Sequence, residues 1–192
     1  MRVSKEQVAE HRERILTVAA SLFRQNGFDG VGIADIMKGA GLTHGGFYRH
    51  FTSKEDLMMQ VSARSLAGSA QKWERILSEE GEDSVEMIVK GYLSEAHFEN
   101  RARGCALPAL CGDAARQPLS IRSAFGNGLK PLIKVLSGIV PGAAPAVRRR
   151  KAISTIAELV GAMVLARSVD DPKLSREILA TVSNNLVEYI AR

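Results

Sequence analysis

Aromatic residues are scarce in this chain, at 5% of the sequence, and there is a single tryptophan, Trp73. Cysteine occurs only twice, at Cys105 and Cys111. Two thiols are too few for a disulfide framework. Six residues along a helix is a rotation of about 240°, so this pair would not share a helical face. They read as small buried hydrophobes, with a thiol or electrophile sensor as the alternative. The four histidines, His11, His44, His50 and His97, have no metal-ligand spacing with one another or with cysteine. His97 sits between Glu95 and Glu99, but ligand number and type remain short of a site, so no metal is expected. No apolar run reaches eighteen residues, which argues against a membrane span, and no signal-peptide layout opens the chain. The expected compartment is the cytoplasm. Nucleophile elbows, phosphate loops and dinucleotide fingerprints are all missing, so neither a cofactor nor a recognisable catalytic site is expected.

The chain does carry positive charge. A net charge of +5 and a pI near 9.4 fit a nucleic-acid partner, but the charge is uneven. Residues 1–54 hold 8 basic and 5 acidic groups, residues 55–100 hold 4 and 10, and residues 101–192 hold 14 and 6. The run Arg148-Arg149-Arg150-Lys151 reads as a solvated face at a helix start rather than a second nucleic-acid site. Charge alone therefore does not make the case for DNA.

The case rests on residues 33–57. Ile33, Ile36, Met37 and Ala40 recur at helical spacing, Gly41 suits a sharp turn, and Leu42 returns to the core. Thr43 is a suitable N-cap for a second short helix, its hydroxyl placed to accept from a free N–H two or three residues on. That helix carries His44, Gly45, Gly46, Tyr48, Arg49 and His50 on a face rich in donors, anchored by Phe47 and Phe51. A helix–turn–helix with glycine in the turn is the geometry that lays a second helix in the DNA major groove.

Gly27-Phe28, Ala40-Gly41-Leu42-Thr43, Gly45, Phe47-Tyr48, His50-Phe51 and Ser53-Lys54-Glu55 together resemble the tetracycline-repressor (TetR) family of transcriptional regulators. The resemblance implies that Tyr48, His50 and Lys54 contact phosphates. His44 and Arg49 are the candidates for base edges, since arginine suits guanine. Thr43 caps the reading helix, and Gly45 and Gly46 allow close backbone approach. Val31 and Gly32 depart from the family's usual hydroxyl residues, so a cap and a phosphate contact would be lost there. Gly46 also replaces a frequent Thr or Ser.

Around this motif the chain reads as all-α, about nine helices with no strand pattern. Ser4-Lys5-Glu6-Gln7 is a capping box opening the first helix, which ends at Asn26-Gly27. Arg2 and Lys5 could extend it as a basic arm. Ser53 caps a long helix to about Leu77. Asp83 and Glu86 suggest a cap for a following helix that reaches Phe98. Pro118 starts another, in which Gly126, Gly128 and Pro131 predict a bend. Asp171-Pro172 is a cap followed by proline at the first helical position.

The last two helices are apolar around more than one stripe, so each is expected to bury one side in its own core and another in a partner. Ile156, Val160, Val164, Ile178, Val182, Leu186 and Tyr189 are the interface candidates. The resemblance implies a four-helix homodimer contact here. Trp73, Tyr92, Phe98, Leu107, Cys111, Phe125 and Met163 are candidates for an adaptable small-molecule pocket, although core filling explains each one singly. The expected organisation is a helix-turn-helix DNA-binding domain over 1–54 and an effector-binding and dimerisation domain over 55–192. The expected function is a ligand-responsive, sequence-specific regulator, a repressor released from a palindromic operator in double-stranded DNA by a partly apolar effector. An enzyme acting on an apolar molecule in the same pocket is the competing expectation. An architectural DNA-binding protein is a third.

Overall fold

The computed structural model describes residues 4–190, so Arg2 of the expected basic arm lies outside the described residues. Among them the chain forms nine α-helices and three short 3-10 helices, with no strand. The helices are α1 (Lys5–Asn26), α2 (Ile33–Gly39), α3 (Lys54–Glu80), α4 (Ser84–Tyr92), α5 (Glu95–Glu99), α6 (Ala106–Ala114), α7 (Leu119–Ile139), α8 (Pro145–Ser168) and α9 (Pro172–Ile190).

Local chemistry sets most boundaries. Ser4 Oγ accepts from the Gln7 N–H at 3.1 Å and Gln7 Oε1 accepts from the Ser4 N–H at 3.0 Å, closing the predicted capping box. Asp171 Oδ1 accepts from the N–H groups of Lys173 and Leu174, with Pro172 filling the first helical position. Helix α7 runs unbroken with Pro131 inside it.

Two expectations in the middle of the chain need correction. Helix α3 continues to Glu80, and Asp83 makes no side-chain cap for α4. Phe98 does not belong to that helix. Ser94 Oγ accepts from the His97 N–H at 3.2 Å and restarts the chain as the separate, short α5.

The chain divides into two compact units. The first holds Met1–Ser65 and Arg101–Gly126. Its core contains Ile15, Phe23, Phe28, Ile36, Phe47, Phe51 and Leu57, all essentially inaccessible to solvent. Residues far along the chain complete it. Phe28 meets Phe23 edge-on at 5.3 Å and Phe125 at 6.5 Å. Arg24 donates from Nε to the Ala102 carbonyl at 2.7 Å and from its guanidinium to Ser65 Oγ at 3.2 Å. Burial pulls the Arg24 pKa below its ordinary value, with Cys105 acting in the opposite direction.

The second unit holds Leu66–Asn100 and Asn127–Arg192. Here α8 and α9 pack along one another, and α4 packs on α9. Trp73 and Tyr92 stand edge to face at 6.2 Å, and Tyr92 contacts His97 at 4.8 Å. Arg167 Nε donates to the Phe98 carbonyl at 3.1 Å, tying α8 to α5.

Candidate nucleic-acid interface

After α2 the chain turns through Ala40–Thr43. The Leu42 N–H donates to the Met37 carbonyl at 2.9 Å and the Gly41 N–H to the Lys38 carbonyl at 3.0 Å. This is the two-bond closure of a helix ending on a left-handed residue, and Gly41 supplies it with φ +68°. At the other end of α2, Asp35 Oδ2 accepts from the Gly32 N–H at 3.0 Å, and Gly32 brings no side-chain cap of its own.

The reading helix spans His44–Arg49 and is a 3-10 helix. Two adjacent glycines lower the gain from α-helical hydrogen bonding in so short a segment, and 3-10 geometry is commonly found in such pieces. Thr43 occupies the N-cap position with extended backbone, but its hydroxyl makes no cap hydrogen bond, contrary to expectation. Its carbonyl does the local work, accepting from the Gly46 N–H at 2.9 Å. The tighter winding places side chains in rows three residues apart. His44 aligns with Phe47, Gly45 with Tyr48, and Gly46 with Arg49.

Phe47 is fully buried and Phe51 nearly so, their ring centroids 5.6 Å apart, while Tyr48 is 64% exposed. Thr43, His44, Gly45 and Arg49 are also exposed, and Gly46, His50 and Lys54 are half-buried. One contiguous segment thus presents His44, Tyr48 and Arg49 outward from an aromatic anchor. Ser53 caps α3 by accepting from the Asp56 N–H at 3.0 Å, and Asp56 in return accepts from the Thr52 N–H at 3.0 Å and its hydroxyl at 3.2 Å. Hydrogen bonds, first from Gln60, hold the Asp56 pKa below the usual carboxylate range.

Helix α1 brings a contribution that the motif itself does not announce. The His11 ring lies edge-on to His50 at 6.2 Å, and the Arg12 guanidinium sits 5.2 Å from the Phe51 ring centroid while also donating to Gln60. Beside the reading helix, α1, α2 and the turn border a partly open cavity of about 160 Å³ lined by Val8, His11, Met37, Gly46, Arg49 and His50. His50 Nδ1 is shielded from solvent and has no hydrogen-bond partner. Desolvation holds the His50 pKa below its ordinary value, and the nearby His11, Arg12 and Arg49 push the same way. In sequence, His11 shows only that it lacks metal spacing; its role emerges from α1 crossing behind the reading helix.

The other candidates fall as follows. Leu107, Cys111 and Phe125 belong to the first unit; Trp73, Tyr92, Phe98 and Met163 belong to the second. Trp73, Tyr92, Leu107, Phe125 and Met163 are buried, Phe98 is half-buried, and Cys111 is exposed. Although Cys111 is exposed as a residue, partial desolvation of its thiol raises the pKa to about 11, with Cys105 adding to the shift. Among the interface candidates, Val164 and Tyr189 are exposed at 38% and 48%, and Val160, Ile178 and Val182 are half-buried. Ile156 and Leu186 are buried within the protomer. No group of three or more metal-ligating side chains occurs among the described residues, and no described helix is long and apolar enough to cross a membrane.

Residues 15–61 match the family described as bacterial regulatory proteins, tetR family. The HTH-type transcriptional repressor NemR of Escherichia coli is 27% identical over 139 residues, covering 70% of this chain and 69% of the relative. The HTH-type transcriptional regulator AcrR of Shigella flexneri is 40% identical over 60 residues, covering 31% of this chain and 28% of that one. In fold, the chain superposes on the reduced form of E. coli NemR with a TM-score of 0.81 at 22% identity, covering 94% of this chain and 97% of that one. FadR from Bacillus subtilis, solved in complex with stearoyl-CoA, gives a TM-score of 0.66 at 17% identity, covering 93% of this chain and 98% of that one.

Proposed function

Because the chain belongs to the tetR family of bacterial regulatory proteins through its N-terminal domain, we propose that this transcriptional repressor acts as a cytoplasmic homodimer on a palindromic operator and is released by a partly apolar effector. The observation that carries the reading is the exposure of His44, Tyr48 and Arg49 on one segment pinned by Phe47 and Phe51, inside the matched residues 15–61. In this reading Arg49 and His44 address base edges, and Tyr48, His50 and Lys54 hold phosphates. Gly45 and Gly46 let the backbone approach the strand. The reading head is residues 1–54 and the effector and dimer functions lie in 55–192.

Release requires an effector with different affinity for two conformations, one of which no longer fits the operator. The aromatic pair Trp73 and Tyr92 in the second unit is the proposed wall of the effector site, and Met163 in the same unit supplies adaptable surface. That FadR binds an acyl-CoA within a similar fold supports an apolar effector class. A gel shift with a palindromic fragment selected on the purified protein, beside an unrelated fragment, tests the proposal. Preference for the selected palindrome is expected. Equal binding of both fragments would indicate an architectural protein, and binding of neither would overturn the reading.

A further inference from the structure

We propose that the His11–His50 pair makes DNA binding proton-linked: one imidazole of the pair takes up a proton when a backbone phosphate arrives at the reading helix. The inference rests on the DNA-binding reading above and adds a regulatory property to the same site.

The geometry around His50 supports it from each neighbouring element. From α1 come His11, edge-on at 6.2 Å, and Arg12, stacked against the Phe51 ring. The reading helix contributes Arg49, while α2 and the turn line the cavity with the uncharged Met37, Leu42 and Thr43. On α3, Asp56 is engaged by Thr52 and Gln60, and Gln60 also accepts from Arg12. The cations around His50 therefore outnumber any anion facing it. In the free protein a second positive charge would be repelled, and a protonated Nδ1 would be a buried donor with nothing to receive it.

A DNA phosphate inverts this balance. It brings negative charge to a rim of His11, Arg12, Arg49 and His50, and a charged imidazole is then favoured. The bound-state pKa rises above the free-state value, which itself lies below the ordinary histidine value. The sign follows from linkage: affinity is constant well above the bound-state pKa, strengthens as pH falls through it, and levels off below the free-state pKa. One proton per half-site gives at most about a tenfold gain per pH unit per half-site.

Because phosphate contacts are independent of sequence, a mixed-sequence 30-base-pair duplex serves as the probe. Its affinity is measured from pH 5.5 to 8 at fixed ionic strength, with calorimetry in two buffers of different ionisation enthalpy to count protons. Histidine resonances are titrated in the free and bound protein. The expected result is net proton uptake on binding, a His50 titration that moves up in the complex, and a flat profile for His50→Gln. His11→Gln should raise the free-state midpoint of His50 and shrink the uptake. Saturable binding with no proton uptake in the wild-type protein would overturn the inference and leave the DNA-binding reading intact. Uptake that persists in His50→Gln/His11→Gln would also overturn it. Absence of binding to this duplex and to the selected palindrome at every pH would overturn both.

Discussion

The carboxylate of Asp113 accepts a hydrogen bond from the Phe28 N–H at 3.0 Å, joining α6 to the end of α1 across 85 positions of sequence. The contact leaves no room beside it: a Cβ on Gly27 would lie 2.4 Å from Asp113 Oδ2, and Gly27 has φ +75°. Gly27→Ala should destabilise through two separable causes, the positive-φ backbone (φ 75°, ψ 172°), a conformation essentially confined to glycine, and the collision with the carboxylate. The backbone part is about 1–3 kcal/mol. Asp113→Ala alone should cost roughly 1.5–3 kcal/mol, as a hydrogen bond to a charged group. In the double variant the collision vanishes, so the combined loss should be smaller than the sum. Denaturant unfolding of the four proteins measures this coupling, and strict additivity would show that the crowding carries no energy.

Within the reading helix, Arg49→Ala should flatten the selected operator sequence at one symmetric position, at a cost of roughly 1–3 kcal/mol against the preferred base. Lys54→Ala should instead weaken every duplex alike and reduce the salt slope by about one unit per half-site. Affinities across single-base operator variants at two salt concentrations separate the two. A uniform loss across all variants for Arg49→Ala would reassign it to phosphate.

Gly46 forms part of the cavity wall, and an added Cβ would meet Met37 Cε and Thr43 Oγ1 at an unstrained 3.6 Å. Gly46→Ala should therefore stabilise the fold by roughly 0.5–1 kcal/mol, by restricting the unfolded chain. Gly45 faces open space, with nothing within 4 Å of an added Cβ, so Gly45→Ala should instead weaken DNA binding by holding the backbone away from the strand. Thermal unfolding and duplex affinity measured on both variants separate the two effects.

Val182 is half-buried on α9, whereas Leu186 is only 1% exposed. Val182→Glu should shift sedimentation from dimer to monomer while the protomer stays folded. Leu186→Glu should instead lower the unfolding temperature, since its charge would be buried in the protomer's own packing. A Val182→Glu protein that remains fully dimeric at micromolar concentration would place the association surface elsewhere.

With its thiol raised to about 11, Cys111 should be almost wholly protonated at pH 7. Its alkylation by iodoacetamide should accelerate about tenfold per pH unit from pH 7 to 10, because the thiolate fraction grows by that factor. Mass spectrometry of the modified peptide reads the rate. A plateau beginning near pH 8 would mean that the thiol ionises far more readily than its surroundings imply.

Much of this architecture was readable in the sequence because its signals are local. Ser4 and Gln7 close their capping box, Asp171 and Pro172 start their helix, and Gly41 makes its turn without help from distant residues. Phe47 and Phe51 were likewise recognisable as anchors from spacing alone. The winding of the reading helix is not legible in the sequence, because Gly45-Gly46 sets α and 3-10 geometry close in energy and the surrounding packing decides. Phe98 was misplaced because Ser94 acts as a cap only once Tyr92 and Leu93 have ended the preceding helix. What could not be read were the long-range pairs. His11 beside His50, Arg24 on Ala102 and Asp113 on Phe28 depend on helix crossings that leave no periodic trace.

The 3-10 winding of His44–Arg49 bears on how much a genome must specify for this protein to find its site. Tyr48 and Arg49 each stand in a row whose other member is a glycine, although the Phe47 ring meets Tyr48 edge-on at 5.3 Å. Few rigid probes means few base pairs fixed by each reading helix, and a short motif recurs by chance along any chromosome. In the proposed dimer, selectivity would then come from demanding two such motifs at one spacing and orientation. Binding sites for this regulator should accordingly tolerate substitution within each arm and tolerate almost no insertion between the arms.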